Sequence, residues 1–121
     1  MSQAQNHHAI NYIEFAATDI EAAKKFYSGI FGWSFTDYGP DYTSFDTNAA
    51  GVAGGFYKAE PHDAAPKTAP LIVLYSANLA ATEAAIQAAG GVITVPTFEF
   101  PGGRRFHFAD GVGNTLAVWS E

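Results

Sequence analysis

Apolar side chains along this chain change period in a fixed order, and the order comes round twice. In Ile10-Asn11-Tyr12-Ile13-Glu14-Phe15-Ala16 the alternation predicts a strand over about 10–16. Successive strand side chains point to opposite sides, so Ile13 and Phe15 share one face and Tyr12, Glu14 and Ala16 the other. The first face is expected to pack on a helix and the second to look onto a concave surface. The period then becomes helical: Ala23, Phe26, Tyr27, Ile30 and Phe31 form a stripe opposite Lys24 and Lys25. Asp19, or Thr18, is the expected N-cap, Glu21 adds a favourable first-turn charge, and Gly32 ends the helix. Strands are expected at 33–36, 42–46 and 52–57, separated by the Gly39-Pro40-Asp41 turn and a 48–51 loop.

The second half repeats the plan with a weaker stripe. A strand at 71–76 leads to an Asn78 cap, a helix over 79–89 and a Gly90 C-cap. A strand over 92–95 ends at Pro96, and Thr97 to Phe100 lead into the Pro101-Gly102-Gly103 turn. Strands at 104–109 and 116–119 flank the turn from Asp110 to Asn114. Asp19 and Asn78 correspond at a separation of 59 residues, so Ile20 falls on Leu79, Tyr27 on Ile86 and Gly32 on Gly91. A repeat of this length is a supersecondary unit that cannot bury its apolar face alone. The expected fold is α+β: two tandem β-α-β-β-β units, with helices on the outer face of a curled mixed sheet. The expected organisation is an arm at 1–8 and one domain at 9–121, made of unit one (9–58), a Pro-rich linker (59–70) and unit two (71–121).

Composition narrows the function. With 121 residues, 48% of them apolar, the chain suits one folded domain. No apolar run approaches the roughly 20 residues of a membrane span, and the first residues lack the features of a signal peptide. No membrane partner and a cytoplasmic location are therefore expected. Zero Cys excludes disulfides, thiolate metal sites and cysteine nucleophiles. Twelve acids against six bases, with no basic cluster beyond Arg104-Arg105, argue against nucleic acid and for a small organic ligand. Aromatics at 15% suit both a packed core and a flat-walled pocket.

Tyr12-Ile13-Glu14-Phe15 with Asp19, then Phe26-Tyr27 and Phe31-Gly32-Trp33, carry a resemblance. In the second half Gly90-Gly91 and Arg105-Phe106-His107-Phe108-Ala109-Asp110 before Gly113-Asn114 extend it. The chain resembles the glyoxalase / bleomycin-resistance / extradiol-dioxygenase (vicinal oxygen chelate) superfamily from residue 9 to 120. The resemblance implies a homodimer whose cavities are each built from two half-units. It also implies, for metal-dependent members, His, Glu or Gln ligands on the first and last strands of each unit. Here those positions fall on Tyr12, near Gly55, near Ile72 and on Ala117. Three of the four have no side-chain donor, and Tyr is a poor ligand for Ni, Zn or Mn at neutral pH. No resident metal is therefore expected, with a divalent metal at a rearranged site as the alternative.

Among the histidines, His7 and His8 read as a solvated arm and His62 as linker. His107 shares a strand face with Arg105, opposite Phe106 and Phe108. Glu14 and His107 are the candidate general bases, and Arg105 suits a carboxylate or enolate oxygen. Tyr12, Trp33, Tyr42, Phe56 and Trp119 join Arg105 as expected walls of a ligand pocket. A purely structural reading stands beside this one, in which Glu14 and Arg105 form a salt bridge across the cavity. Asp110 and Asn114 are explained by their turn. The leading expectation is a small-molecule-binding protein with an aromatic cavity and without the usual metal. Its rivals are a glyoxalase-like lyase, isomerase or dioxygenase, and an interaction module whose own side chains plug the cavity.

Overall fold

The computed structural model describes residues 4–61 and 69–121. Its order is β1 (Tyr12–Ala17), α1 (Ile20–Phe31), β2 (Phe35–Asp37), β3 (Tyr42–Phe45), α2 (Thr47–Ala50) and β4 (Ala53–Lys58). Unit two follows as β5 (Val73–Tyr75), α3 (Leu79–Ala88), β6 (Val92–Phe100), β7 (Gly103–Ala109) and β8 (Thr115–Ser120). A short 3-10 turn covers Ala4–Asn6. Most of the expected linker, His62 included, lies outside the described residues.

The two halves fold alike. In each, the first strand pairs in parallel with the last, and two antiparallel pairings complete four strands in the orders β1-β4-β3-β2 and β5-β8-β7-β6. Asp19 and Asn78 cap their helices with nearly the same extended backbone, accepting from Ala22 N at 3.0 Å and Ala81 N at 3.1 Å. Ile20 and Leu79 are both buried, as are Tyr27 and Ile86. Gly32, at φ 74°, closes α1 in the left-handed conformation that favours glycine.

Three local expectations change. The 48–51 loop is the helix α2, because the Asp46 side chain accepts from Asn48 N at 3.1 Å and Gly51 supplies a left-handed cap. The strand expected at 71–76 shortens to three residues. Pro96 does not end a strand: β6 runs through it, with register shifts between Ile93 and Val95 and between Val95 and Phe98. A residue without an N–H is tolerated there because β6 is a sheet edge and the irregularity absorbs it.

The core is one aromatic-rich cluster spanning both units. Tyr27 stacks on Trp33 (4.9 Å), Trp33 meets Phe45 (4.5 Å), and Phe15 stacks on Phe56 (5.2 Å). Phe26 of α1 reaches Phe108 of β7 at 6.0 Å, so α1 contacts the apolar sides of both sheets. One buried polar hub ties the units together. Asp110 accepts from Tyr27 Oη (2.8 Å), Val112 N, Asn114 N and Asn114 Nδ2, and Asn114 Nδ2 also donates to Ala16 O at 2.7 Å. Asp110 therefore does more than shape its turn. Burial and the adjacent carboxylate push the Tyr27 phenol well above its ordinary pKa, so it stays a donor.

Candidate functional site

The sheet faces turned away from the helices carry two polar clusters. On the first sheet Tyr42 Oη donates to Glu14 Oε2 at 2.9 Å and shares a short hydrogen bond with Tyr12 Oη. β4 lies between β3 and β1, so Tyr42 must cross it to reach Glu14. It does so over Gly55, where an added Cβ would stand 2.6 Å from Tyr42 Cζ and 2.7 Å from Thr43 O. The neighbouring Gly54 plays the same part on the core face, where an added Cβ would stand 2.9 Å from Phe45 Cε1. Paired glycines thus leave room for one aromatic ring on each side of the sheet, and Gly54 also for the close approach of Ile13 O. Burial, then the hydrogen bonds to Tyr12 and Glu14, raise the Tyr42 pKa, which keeps it a phenol facing a carboxylate.

On the second sheet β7 presents Arg105 and His107 beside Trp119 and Ala117 of β8 and Phe98 of β6. The Arg105 guanidinium lies 5.1 Å from the Phe98 ring centre and 5.6 Å from that of Phe100. Phe98 also meets the His107 ring at 6.0 Å, and Trp119 meets Phe100 and Tyr75 edge-on. Arg105, Phe100, Trp119, Val73 and Gly102 bound a cavity of about 300 Å³. Arg105 Nε and His107 Nε2 are sealed from solvent with no hydrogen-bond partner. Burial, then the Arg105 charge, lowers the His107 pKa, so the ring is neutral at pH 7.

The two clusters do not meet within the chain. A second cleft, of about 390 Å³, is lined by Glu14, Tyr57, Pro70, Ile72 and Asn114, whereas Val73 lines the Arg105 cavity. Ile72 and Val73 are consecutive and point to opposite faces, and Ile72 packs against the core. The Glu14–Arg105 salt bridge of the alternative, structural reading is not formed. Among the described residues the ion pairs join Lys24 to Glu21 and to Asp37.

Phe56, expected as a pocket wall, is an interior residue at 0% exposure, while Trp33, at 5%, lines a cleft with Lys24, Ser28 and Phe35 that none of the other expected wall residues lines. Phe56 lies on the core face of β4 between Phe15 and Tyr27, and Trp33 sits just beyond the Gly32 cap, where it packs on Tyr27. Phe98 and Phe100 were not among the expected wall residues. Their alternation with Glu99 carries the signal, but with Pro96 taken as a strand end they fall in the lead-in to the Pro101-Gly102-Gly103 turn rather than on a strand face.

The positions at which the family resemblance implies metal ligands hold other groups. The Gly55 position holds no side chain, and the Tyr42 ring fills the space. Ile72 and Ala117 offer hydrocarbon. Among the described residues no three His, Cys, Asp or Glu side chains gather. This donor set does not fit the family's metal.

Fold and clusters together define an α+β protein of two tandem units, with polar groups on its helix-free sheet faces. The chain belongs to the Glyoxalase/Bleomycin resistance protein/Dioxygenase superfamily, whose sequence profile matches residues 9–118. No curated protein matches it in sequence. Solved structures share the fold at low identity. A glyoxalase-related enzyme from Fulvimarina pelagi is 20% identical, with 94% of this chain and 88% of that one covered and a TM-score of 0.75. The fosfomycin resistance protein FosX from Listeria monocytogenes is 16% identical, with 93% of each covered and a TM-score of 0.75. A lactoylglutathione lyase from Agrobacterium tumefaciens is 17% identical, with 93% of each covered and a TM-score of 0.64.

Proposed function

We propose that this protein binds a small organic molecule without the family's metal, as a homodimer in which the Glu14 face of one protomer closes over the Arg105 face of the other. The carrying observation is the replacement of the expected donors by Tyr12, Gly55, Ile72 and Ala117, with the Tyr42 ring occupying the space over Gly55. The separation of the two clusters within one chain supports the pairing, since a second copy brings the half-sites together. So does the apolar surface beside them: Tyr12, Tyr57, Val73, Tyr75 and Phe98 are between 37% and 53% exposed. Members of the superfamily bind small molecules and commonly form dimers. Aromatic walls supply affinity, and Glu14, Arg105 and His107 orient the ligand. A thermal-shift screen of aromatic, sugar-like and carboxylate compounds on metal-free protein tests this. Stabilisation by at least one class, reduced in Trp119→Ala, supports it; no stabilisation across the set counts against it.

A catalytic reading draws on the Tyr12–Tyr42–Glu14 chain. A carboxylate hydrogen-bonded to a phenol can take a proton from a bound ligand, and the phenol network can redistribute it. His107 on the opposing half-site is neutral, but its Nε2 is sealed from solvent, so Glu14, on an exposed strand position, is the base a ligand can meet. The rearranged-metal alternative rests on Glu14 and His107 alone, on different sheets. Metal analysis of purified protein beside Glu14→Gln and His107→Ala tests it: stoichiometric metal lost in both variants would favour that alternative over ours.

A further inference from the structure

Within one protomer Arg105 is an uncompensated cation in an acidic chain. It has no ion pair or hydrogen bond among the described residues, and its Nε is sealed without an acceptor. The guanidinium lies over both the Phe98 and the Phe100 ring, in place of a charged partner. The donors a bound acceptor can meet are the terminal guanidinium nitrogens on the cavity side, which have no hydrogen-bond partner either. The adjoining cavity of about 300 Å³ has room for one ring or a short unsaturated chain, and its other walls are Val73, Phe100, Gly102 and Trp119.

We propose that this cavity takes a small planar monocarboxylate, with its oxygens accepting from the Arg105 guanidinium and its flat apolar body lying against Trp119 and Phe100. The assignment rests on the small-molecule-binding reading above and names its ligand class. A planar fork of N–H donors matches a carboxylate in shape and charge. A phosphate or phosphonate would bring further charge, and among the described residues no second cation lines the cavity to meet it. Arg104 lies on the other face of β7, and His107 is held neutral by burial and by Arg105 itself.

Isothermal titration calorimetry on the full chain, with benzoate, benzamide and phenylphosphonate, tests the assignment. Benzoate is expected to bind about tenfold or more tighter than either of the others. Arg105→Gln is expected to erase that preference while leaving benzamide within about threefold of its wild-type affinity. Equal binding of benzoate and benzamide, tighter binding of phenylphosphonate, or no binding of benzoate overturns the carboxylate assignment. So does a preference that survives in Arg105→Gln. If that variant does not fold, the three-ligand comparison on wild-type protein decides alone. An empty thermal-shift screen defeats the broader reading, whereas failure of benzoate beside hits of another class defeats only the carboxylate assignment, so the two failures are distinguishable.

Discussion

Gly55 determines where Tyr42 can lie, and Tyr42 determines what Glu14 meets. An alanine at 55 would collide with the Tyr42 ring and with Thr43 O. Gly55→Ala is expected to cost about 1–3 kcal/mol in chemical denaturation and to weaken the ligand response; an unchanged midpoint would contradict the packing described. Tyr27 supplies a second residue-scale test. Tyr27→Phe leaves the buried Asp110 one donor short, and a loss of about 1–3 kcal/mol is expected, against under about 0.5 kcal/mol for the exposed Tyr38→Phe. His107 has a signed pH effect. Its folded pKa is depressed, by burial first and by Arg105 second. Above the unfolded value of about 6.5 its contribution to stability is complete. As pH falls from there toward the folded value that contribution is lost, because the unfolded chain binds the proton more readily. In an NMR titration His107 is expected below the ordinary histidine value, and Arg105→Gln is expected to raise it; a value at or above the ordinary one would refute this account.

At the scale of elements, most of the fold was legible because helix and strand periods and their punctuation agree. Asp19, Gly32 and Asn78 act as the sequence implies, and loss of the Asp19 cap by substitution to Ala is expected to cost about 1 kcal/mol in thermal or chemical unfolding. The parity of β1 and β7 also read correctly: Phe15, Phe106 and Phe108 are buried, while Glu14, Arg105 and His107 lie on the other faces. β6 was misread at Pro96, since a missing N–H matters little on an edge strand and the register shift is set by pairing with β7. Phe56 was misplaced because an aromatic residue carries no mark of which face it serves. Phe56 follows the Gly54-Gly55 pair, where the strand's pattern gives no alternation to read.

For the whole molecule, the repeat locates two equivalent surfaces, and divergence makes them unequal. One carries a carboxylate joined to two phenols, the other an arginine and a neutral histidine among aromatic rings. That asymmetry was partly visible in sequence, as Glu14 set against Arg105 and His107. What sequence could not supply was their separation within one chain, which depends on which side of β5 each cavity opens. The complementarity of the surfaces leads to the claim that two copies form a metal-independent pocket. Native mass spectrometry of EDTA-treated protein, titrated with benzoate and the leading compound from the thermal-shift screen, tests it most directly. The account predicts a dimer that takes up two ligands without added metal; a monomer, or ligand uptake only after a divalent cation is restored, would contradict it.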